Sequence, residues 1–418
     1  MVNDAVRSAV LAISHLFEHP PPLHDRVEDL SQIENAKSDA MRWYCRSIRE
    51  FQTALANPEG QMHTELALLS CVLLACVEFA QNNVYSALKL LKGGFQIAGQ
   101  IPGSRSSSST RLSLTLRDMI LPMLARQAVV MANFGYLPPS DWFERFQDIA
   151  PSCITSMSTL LEARSGLYTC LWKAMEFISI THDAYNTGTL WNESTLIAQQ
   201  QHQTRVLSGL RRWHGHFQHA YLDRSEALPS QDRQAISVML LYYHVGQIWA
   251  TSCLDRTHLR HDAQLSQFEA IVANAEELVI AAEAMDSTSP PPPFSFEMHV
   301  IAPLFFTGWR CRHPLLRRKC VALLKRAPKQ ESLFVADRNA RALEKIIEIE
   351  ESSDLATAVR RGEWDGELPS WEDRCLHVVI QHEYTDGRKV KPRLIYTRGL
   401  GKDGRTKLEN EFESVSLY

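Results

Sequence analysis

The chain has 418 residues, of which 45% are hydrophobic, so it is long enough to bury a substantial core. Its 44 basic and 48 acidic residues give a formal net charge of -4, so the molecule as a whole is weakly repelled by a phosphate backbone. Any affinity for DNA must therefore be local.

The N-terminus, the hydropathy and the cysteines all indicate a soluble intracellular protein. Arg7, His15 and Glu18 interrupt the apolar residues that a signal peptide would need. No window approaches the roughly twenty apolar residues of a membrane span, so we expect no membrane contact. The nine cysteines are scattered, odd in number and without a CxxC pair, which predicts reduced core thiols rather than disulfides.

Most of the chain carries the residue spacing of amphipathic helices. From Glu65 to Ala80 apolar residues cover nearly the whole circumference, which predicts a central helix. Val84 to Ala98 repeats apolar side chains in one stripe, so these two segments are expected to form a helical hairpin. Further helices are predicted over Leu112 to Phe134, Leu160 to Ala184, Thr204 to Tyr221, Arg233 to Cys253 and Leu265 to Met285.

Two polar or proline-rich stretches separate these helices. Residues 102–110 are rich in serine, whose hydroxyl competes with helix hydrogen bonds, and a mobile loop is expected there. Residues 287–293 contain successive prolines, which lack amide donors and break the helical pattern.

The hydrophobic period changes near the C-terminus. Leu376, Val378 and Ile380 alternate with polar residues, and Asp386-Gly387 supplies a turn before a second strand over Val390 to Tyr396. Pro392 would place that second strand at an edge. The fold class is therefore expected to be all-α with a small C-terminal β-hairpin: a helical domain over 1–352, an appendage over 353–398, and a flexible tail over 399–418.

The segment from Cys311 to Arg326 is strongly basic. Pro314 suits the first turn of a helix, after which Leu315, Leu316, Cys320, Leu323, Leu324 and Ala327 form an apolar stripe. The basic residues would then form the solvated face of a core helix; the alternative is a patch for nuclear import or for an acidic partner. That patch would comprise Arg312, Arg317, Arg318, Lys319, Lys325 and Arg326.

No other pattern predicts a cofactor or metal site, and no catalytic residues can be assigned. The run Gly399 to Gly404 matches GxGxxG, but too little chain follows for the helix, strand and acidic residue of a dinucleotide site. His216 and His219 could share a helix face with Asp223, yet a second ligand cluster is missing and an exposed helix surface is favoured.

Three stretches are similar to a known family: Ala5 to Glu18, Ala67 to Gly94, and Pro303 to Phe334 together with Ile346 to Glu351. They resemble the regulatory domain of fungal zinc-cluster transcription factors. The resemblance implies an all-helical regulatory region in the nucleus that senses a ligand or a co-regulator, with a helix-in-groove surface as one means of meeting partners. It transfers no catalytic or ligand residue.

The six-cysteine zinc module of that family is missing from this sequence, and the first family-like helix begins at about Ala5. A truncated gene product, a fragment, and a natural regulator without a DNA reader are the three explanations. The expected partners are transcriptional co-regulators, a DNA-binding partner protein, a small-molecule effector or a second copy of the chain.

We therefore expect a non-enzymatic transcription-regulator domain without autonomous sequence-specific DNA binding, located in the nucleus or alternatively in the cytoplasm. One alternative is a helical enzyme whose site is assembled from dispersed residues, because His182, His244 and His299 lie near apolar segments. Another is a cytosolic scaffold, although no repeat near 34 residues supports a tetratricopeptide array.

Overall fold

The computed structural model describes residues 3–20, 30–56, 60–101, 113, 115–132, 157–186, 189–255, 259–286, 294–381, 384–385, 388–389, 393–397 and 410–413. Within these ranges the chain is mainly helical, and its strands lie in the C-terminal quarter. The expected all-α fold with a small C-terminal β-hairpin is confirmed. The predicted mobile loop at 102–110, the proline-rich break at 287–293 and the glycine run at 399–404 lie outside the described residues.

The α-helices of the described ranges are α1 Asp4–Glu18, α2 Leu30–Leu55, α3 Gly60–Ala80, α4 Val84–Ala98, α5 Leu121–Ala132, α6 Leu160–Asn186, α7 Glu193–Ala220, α8 Ser230–Ser252, α9 Leu265–Asp286, α10 Ile301–Arg310, α11 Pro314–Arg326, α12 Ala336–Glu350 and α13 Ser353–Arg361. A π-helical turn, Leu116–Ile120, leads into α5, where the proline at 122 has no backbone N–H to donate. None of the helices described combines the length and apolar character needed to cross a membrane.

Helix α3 is shared by two apolar clusters, which explains why its sequence is apolar on almost every side. Leu68, Val72 and Phe79 belong to the main core, which α4 to α12 complete. Leu74 and Val77 face the other way, into a cluster with α1 and α2. The predicted central position of α3, and its hairpin with α4, are therefore confirmed.

Helix α1 packs closely because its inward side chains are small. Asn3 caps the helix by accepting a hydrogen bond from the N–H of Ala5 at 2.9 Å. Ala5, Ala9 and Ala12 are buried on one face, against α2 and α3. The hydroxyl of Ser47 on α2 donates to the carbonyl of Ala5 at 2.9 Å, which fixes the pair in register.

Helices α10 and α12 approach each other at Gly308, where a side chain would not fit. A Cβ atom built at Gly308 would lie 2.2 Å from Cδ2 and 3.1 Å from Cγ of Leu343, which is fully buried. We expect Gly308→Ala to lower the free energy of unfolding by about 1–2 kcal/mol, because overpacking costs more than the better helix propensity of alanine returns. Urea unfolding followed by circular dichroism measures the change.

Gly215 on α7 provides the matched control, since a Cβ atom there meets nothing within 4 Å. Gly215→Ala is expected to raise the free energy of unfolding by about 0.5–1 kcal/mol through helix propensity alone. If Gly308→Ala stabilised the protein by a similar amount, the two helices could separate without cost and the close packing at Gly308 would be refuted.

The C-terminal sheet matches the predicted hairpin in its first two strands. Strand β3, His377–Gln381, pairs antiparallel with β6, Arg393–Thr397, so that Val378 lies opposite Tyr396. Two-residue strands β4, Tyr384–Thr385, and β5, Arg388–Lys389, pair on either side of the predicted turn at 386–387. A further two-residue pair, β1 Gln330–Glu331 with β2 Phe334–Val335, precedes α12.

Two expectations for this region need correction. Strand β7, Asn410–Glu413, pairs with β6, so part of the predicted flexible tail is a strand. Strand β6 is therefore the central strand of three rather than an edge. The reason is that β6 runs from Arg393 to Thr397 and contains no proline, so each of its residues has an N–H to donate to a ladder.

The eight cysteines of the described residues are all free thiols, as the sequence predicts. Five of them are buried, and burial raises the pKa of Cys170 and of Cys311 to about 11. These side chains therefore pack as small apolar groups.

Candidate functional site

The basic segment forms only part of the exposed face that its sequence predicts. Arg317 lies on the same side of α11 as Cys320, Val321 and Leu324, because residues three and four apart share a helix face. Its side chain is fully buried, whereas Leu315 of the predicted apolar stripe is 53% exposed. The stripe is therefore rotated by about one residue from the prediction, and Arg317 lies inside it.

A buried carboxylate is the reason that Arg317 can lie there. Glu350, at the end of α12, accepts hydrogen bonds from Nη2 of Arg317 at 2.7 Å and from Nη2 of Arg312 at 3.2 Å. All three side chains are fully buried. The same carboxylate accepts the backbone N–H of Cys375 at 2.8 Å, which ties the C-terminal sheet to α12.

The other four residues of the basic patch are each paired with a glutamate. Arg318 contacts Glu351 through two nitrogens, at 2.5 and 3.0 Å. Three exposed or half-exposed pairs join α11 to its neighbours: Lys319 with Glu276 at 2.6 Å, Lys325 with Glu344 at 2.5 Å, and Arg326 with Glu283 at 2.7 Å.

This pairing changes the interpretation of the patch. Arg312 and Arg317 are inaccessible, so the patch of six residues expected from the sequence is wrong for these two. The four that reach the surface have their charge offset by adjacent carboxylates, which weakens attraction to an acidic partner or to DNA. Glu350 and Glu351 lie 33 residues beyond Arg317 and Arg318, so no local pattern in the sequence joins these partners.

A cavity of about 320 Å³ lies elsewhere, between α6, α8, α9 and the two segments that flank α10 and α11. Its size is at the lower end of the range for small-molecule sites. One face of α8 contributes six of the lining residues, which are Gln231 and the residues three, four, seven, eight and eleven positions after it. The cavity is lined by Arg164, Leu167, Tyr168, Gln231, Gln234, Ala235, Val238, Met239, Tyr242, Leu278, Val279, Ala282, Glu297, His299, Val300, Pro328 and Glu331.

The charged groups of the cavity wall are already paired. Glu297 contacts Nη2 of Arg126 at 2.6 Å and Nη1 of Arg164 at 2.9 Å. Burial lowers the pKa of Arg126, while Glu297 acts in the opposite direction. The cluster joins α5 and α6 to the segment before α10, and Arg164 and Glu297 of the cluster line the cavity.

Glu331 also lines the cavity, and its carboxylate accepts three backbone hydrogen bonds. It accepts the N–H groups of His299 at 2.8 Å, Val300 at 3.2 Å and Ile301 at 2.9 Å. These are donors at the N-terminus of α10, which no residue of a preceding turn can satisfy. The negative charge also complements the positive end of the helix dipole.

Two buried tyrosines, Tyr168 and Tyr242, are among the residues that line the cavity. Burial and the negative charge of Glu297 raise the pKa of Tyr168 to about 12. Burial, Tyr168, Glu331 and Glu297 together raise the pKa of Tyr242 well above its ordinary value, so both phenols stay protonated. The hydroxyl of Tyr242 has almost no accessible surface and, among the described residues, no hydrogen-bond partner.

The histidines considered for catalysis do not converge. Of the three, only His299 lines the cavity, beside the two engaged carboxylates. His244 lies on α8 near His214, and burial followed by the charge of His214 lowers its pKa to about 4. His182 is on α6 and is not part of the cavity wall.

The histidine group of α7 is a helix surface, as the sequence favours. His216 is exposed, and His219 forms an exposed pair with Asp223 at 3.5 Å. His214 instead stacks on the ring of Tyr243, with centroids 4.4 Å apart. Among the described residues, no three His, Cys, Asp or Glu side chains are grouped so that they could hold a metal ion.

Residue patterns in the sequence contain part of the cavity. Gln231, Gln234 and Tyr242 lie on one face of α8 together with apolar residues. The sequence therefore shows polar side chains within an otherwise apolar stripe of this helix. The other walls, on α6, α9 and the two connecting segments, come from distant parts of the chain.

Comparisons of the chain with protein-family models, with curated proteins and with solved structures found no match. The resemblance to zinc-cluster regulators therefore depends on the sequence stretches alone.

Proposed function

We propose that this chain is a regulatory domain of a nuclear transcription regulator, which binds a small effector in the cavity between α6, α8 and α9. It would act through co-regulators, a DNA-binding partner protein or a second copy of itself, and would not bind specific DNA on its own. The zinc-cluster resemblance supports the regulatory role. The ion pairing of the basic segment supports the absence of a DNA-reading surface there.

The cavity itself is the observation that carries the effector site. Apolar side chains make up most of its wall, and Arg164, Gln231 and Gln234 add polar groups to it. An apolar wall with a few polar groups, in a cavity of this size, is typical of sites that bind a small molecule.

Binding is favoured over catalysis by the state of the two carboxylates. Glu297 is held by two guanidinium groups and Glu331 by three backbone N–H groups. Both carboxylates are therefore already occupied as hydrogen-bond acceptors, and His299 would have to act alone as a general base. The cavity therefore offers recognition groups rather than an acid–base pair.

A neutral solvatochromic dye, prodan, tests the site. We expect its emission to shift to the blue on saturable binding to the purified chain, and Ala282→Trp to abolish the shift by filling the cavity. Ala273→Trp, on the exposed side of the same helix, is the control and should leave binding unchanged. Saturable binding that Ala282→Trp leaves intact, or no saturable binding at all, would count against the effector site.

The regulatory part is tested by tethering the chain to an unrelated DNA-binding module upstream of a reporter gene. Ala282→Trp is expected to change reporter output relative to the wild type and to Ala273→Trp. In a mobility-shift assay at physiological salt, the chain alone is expected to form no sequence-selective complex. A tight, sequence-selective complex with DNA would refute the proposal that the chain does not bind specific DNA on its own.

A further inference from the structure

The three arginines of α7 carry positive charges that no neighbouring carboxylate balances. Between Ser194 and Ala220 the helix contains no aspartate or glutamate, so it lacks the ion pairs between successive turns that stabilise many surface helices. Arg205, Arg211 and Arg212 are all exposed, and within the described ranges none of them forms an ion pair. The basic residues of α11, in contrast, all have glutamate partners.

The helix dipole does not account for these charges. The negative end of a helix stabilises cations within its last turn only. Arg212 lies roughly two turns, and Arg205 roughly four turns, before Ala220 at the end of α7. Their positions therefore serve neither the dipole nor an ion pair within the helix.

The contacts between α6 and α7 show which residues of the two helices lie at the same level. The indole N–H of Trp213 on α7 donates to the carbonyl of Ala163 on α6 at 2.8 Å. Fourteen residues further along α6, the ring of Phe177 lies 5.1 Å from that of His202 on α7. The helices therefore run antiparallel, and Lys173 of α6 is level with the middle of α7.

Lys173 and two of the arginines form one group of cations. Arg205 and Arg212 are seven residues apart, which places them on one face of α7 at a separation of about 10 Å along the axis. Burial raises the pKa of the Cys170 thiol, and the charges of Lys173 and Arg212 both act to lower it, so both cations lie near that thiol. Residues 173–180 and 205–212 contain one acidic residue, Glu176, which offsets at most one of the three charges.

The surface between these cations is open and includes an exposed apolar side chain. A Cβ atom built at Gly209, which lies between the two arginines on α7, would meet nothing within 4 Å. Ile180 lies seven residues after Lys173 on the same face of α6 and is 42% exposed. We call this surface the α6–α7 groove, and it consists of Lys173, Ile180, Arg205, Gly209 and Arg212.

We propose that the α6–α7 groove binds an acidic segment of another protein, whose carboxylates pair with its three cations while a bulky apolar side chain covers Ile180. The inference rests on the proposed regulatory role, in which the segment belongs to a co-regulator, and it adds the surface and the chemistry of that partner. A helical segment with acidic residues two turns apart matches the spacing of Arg205 and Arg212. Acidic segments with interspersed apolar residues are typical of transcriptional activation domains.

Nucleic acid fits this groove less well. Affinity for DNA grows with the number of phosphates that cations neutralise, and the groove supplies three cations on a chain whose net charge is -4. The exposed side chain of Ile180 has no counterpart on a phosphate backbone, whereas an amphipathic peptide can cover it.

Fluorescence anisotropy with two labelled synthetic peptides tests the groove. The first is a helical peptide with glutamates two turns apart and leucines on the same face, and the second has glutamine in place of each glutamate. We expect the full chain to bind the acidic peptide saturably and about tenfold more tightly than the glutamine peptide, since each exposed ion pair contributes a fraction of the tenfold free energy. Added salt should weaken binding of the acidic peptide alone.

Arg212→Glu is the deciding variant, because it turns an attraction for the peptide into a repulsion at an exposed position. It should weaken binding of the acidic peptide about tenfold. Arg361→Glu makes the same change of charge at an exposed arginine that ends α13, and it should alter the affinity less than about twofold. Ile180→Ser should weaken both peptides by a similar factor, and circular dichroism checks that each variant is folded.

Several results would overturn the groove. These are no saturable binding, equal affinities for the two peptides, and equal losses in Arg212→Glu and Arg361→Glu. Tighter binding of a DNA duplex of random sequence, lost in Arg212→Glu, would overturn it in favour of a phosphate ligand.

Failure of the groove and failure of the proposed function are distinguishable. None of the residues that line the cavity belongs to the α6–α7 groove, so Ala282→Trp should abolish prodan binding and leave peptide binding unchanged. Unchanged reporter output would overturn the regulatory role of the cavity while peptide binding still stood.

Discussion

Replacing Glu350 by alanine is expected to lower the free energy of unfolding by about 3–5 kcal/mol, the cost of leaving buried charges without their partner. The carboxylate is the acceptor for Arg312 and Arg317, both fully buried, and for the backbone N–H of Cys375. Its removal leaves two guanidinium groups in a space that water does not reach. Urea unfolding of the variant measures the loss.

An exposed ion pair of the same helix provides the control. Glu276→Ala removes the partner of Lys319, but both side chains are more than one-third exposed, and we expect a loss of less than about 1 kcal/mol. Comparable losses in the two variants would mean that burial adds nothing to the Glu350 network. The C-terminal sheet would then be held mainly by its other contacts, which are the apolar packing of Leu394 and Tyr396 and the hydrogen bond from Trp309 to the carbonyl of Cys375.

The same network should make stability depend on acid pH. Burial raises the pKa of Glu350, but the charges of Arg312 and Arg317 outweigh it and hold the pKa below its ordinary value. A carboxyl group with a lowered folded-state pKa stabilises the fold above its ordinary pKa of about 4.3, and this contribution is lost as the pH falls through the folded-state value. Between pH 5 and pH 3, the wild type should therefore lose more stability than Glu350→Gln does.

Helix spacing predicted much of the fold because each helix has an apolar stripe of its own. Helix α4, Val84–Ala98, has the bounds expected from its stripe. Helix α7 is longer than expected, since it begins at Glu193 rather than Thr204. Its first turns are rich in glutamine, which forms helices well but leaves no apolar period to detect. The predicted start of α7 was wrong because its first turns are helical through the intrinsic helix propensity of their residues and have no apolar stripe.

The candidate site was much less predictable from the sequence, because the role of each residue depends on partners that are distant along the chain. Arg317 appears as a surface cation until Glu350, 33 residues further along, is placed beside it. Tyr242 appears as an ordinary core aromatic until Glu297 and Glu331 are placed at the same cavity. The spacing of residues along a helix predicts which side chains lie on the same face. It does not predict which residues of other helices pack against that face.

Glu331 offers the second large effect, because one carboxylate both caps α10 and forms a wall of the cavity. We expect Glu331→Ala to lower the free energy of unfolding by about 2–4 kcal/mol, since the variant leaves the N–H groups of His299, Val300 and Ile301 without their acceptor. The residue is 99% buried, so water cannot replace the carboxylate without entering the core. Urea unfolding measures the loss, and prodan binding should weaken as the wall formed by His299 and Val300 shifts.

Glu344→Ala is the matched control, because Glu344 is an exposed carboxylate that pairs with Lys325 at the surface. It should cost less than about 1 kcal/mol and leave prodan binding unchanged. Glu331→Gln should fall between the two, since an amide keeps one acceptor oxygen but loses the charge that complements the helix dipole. If Glu331→Ala were as stable as the control, solvent would be able to satisfy the start of α10. The wall would then be a movable one, and a ligand, rather than the protein, would set its position.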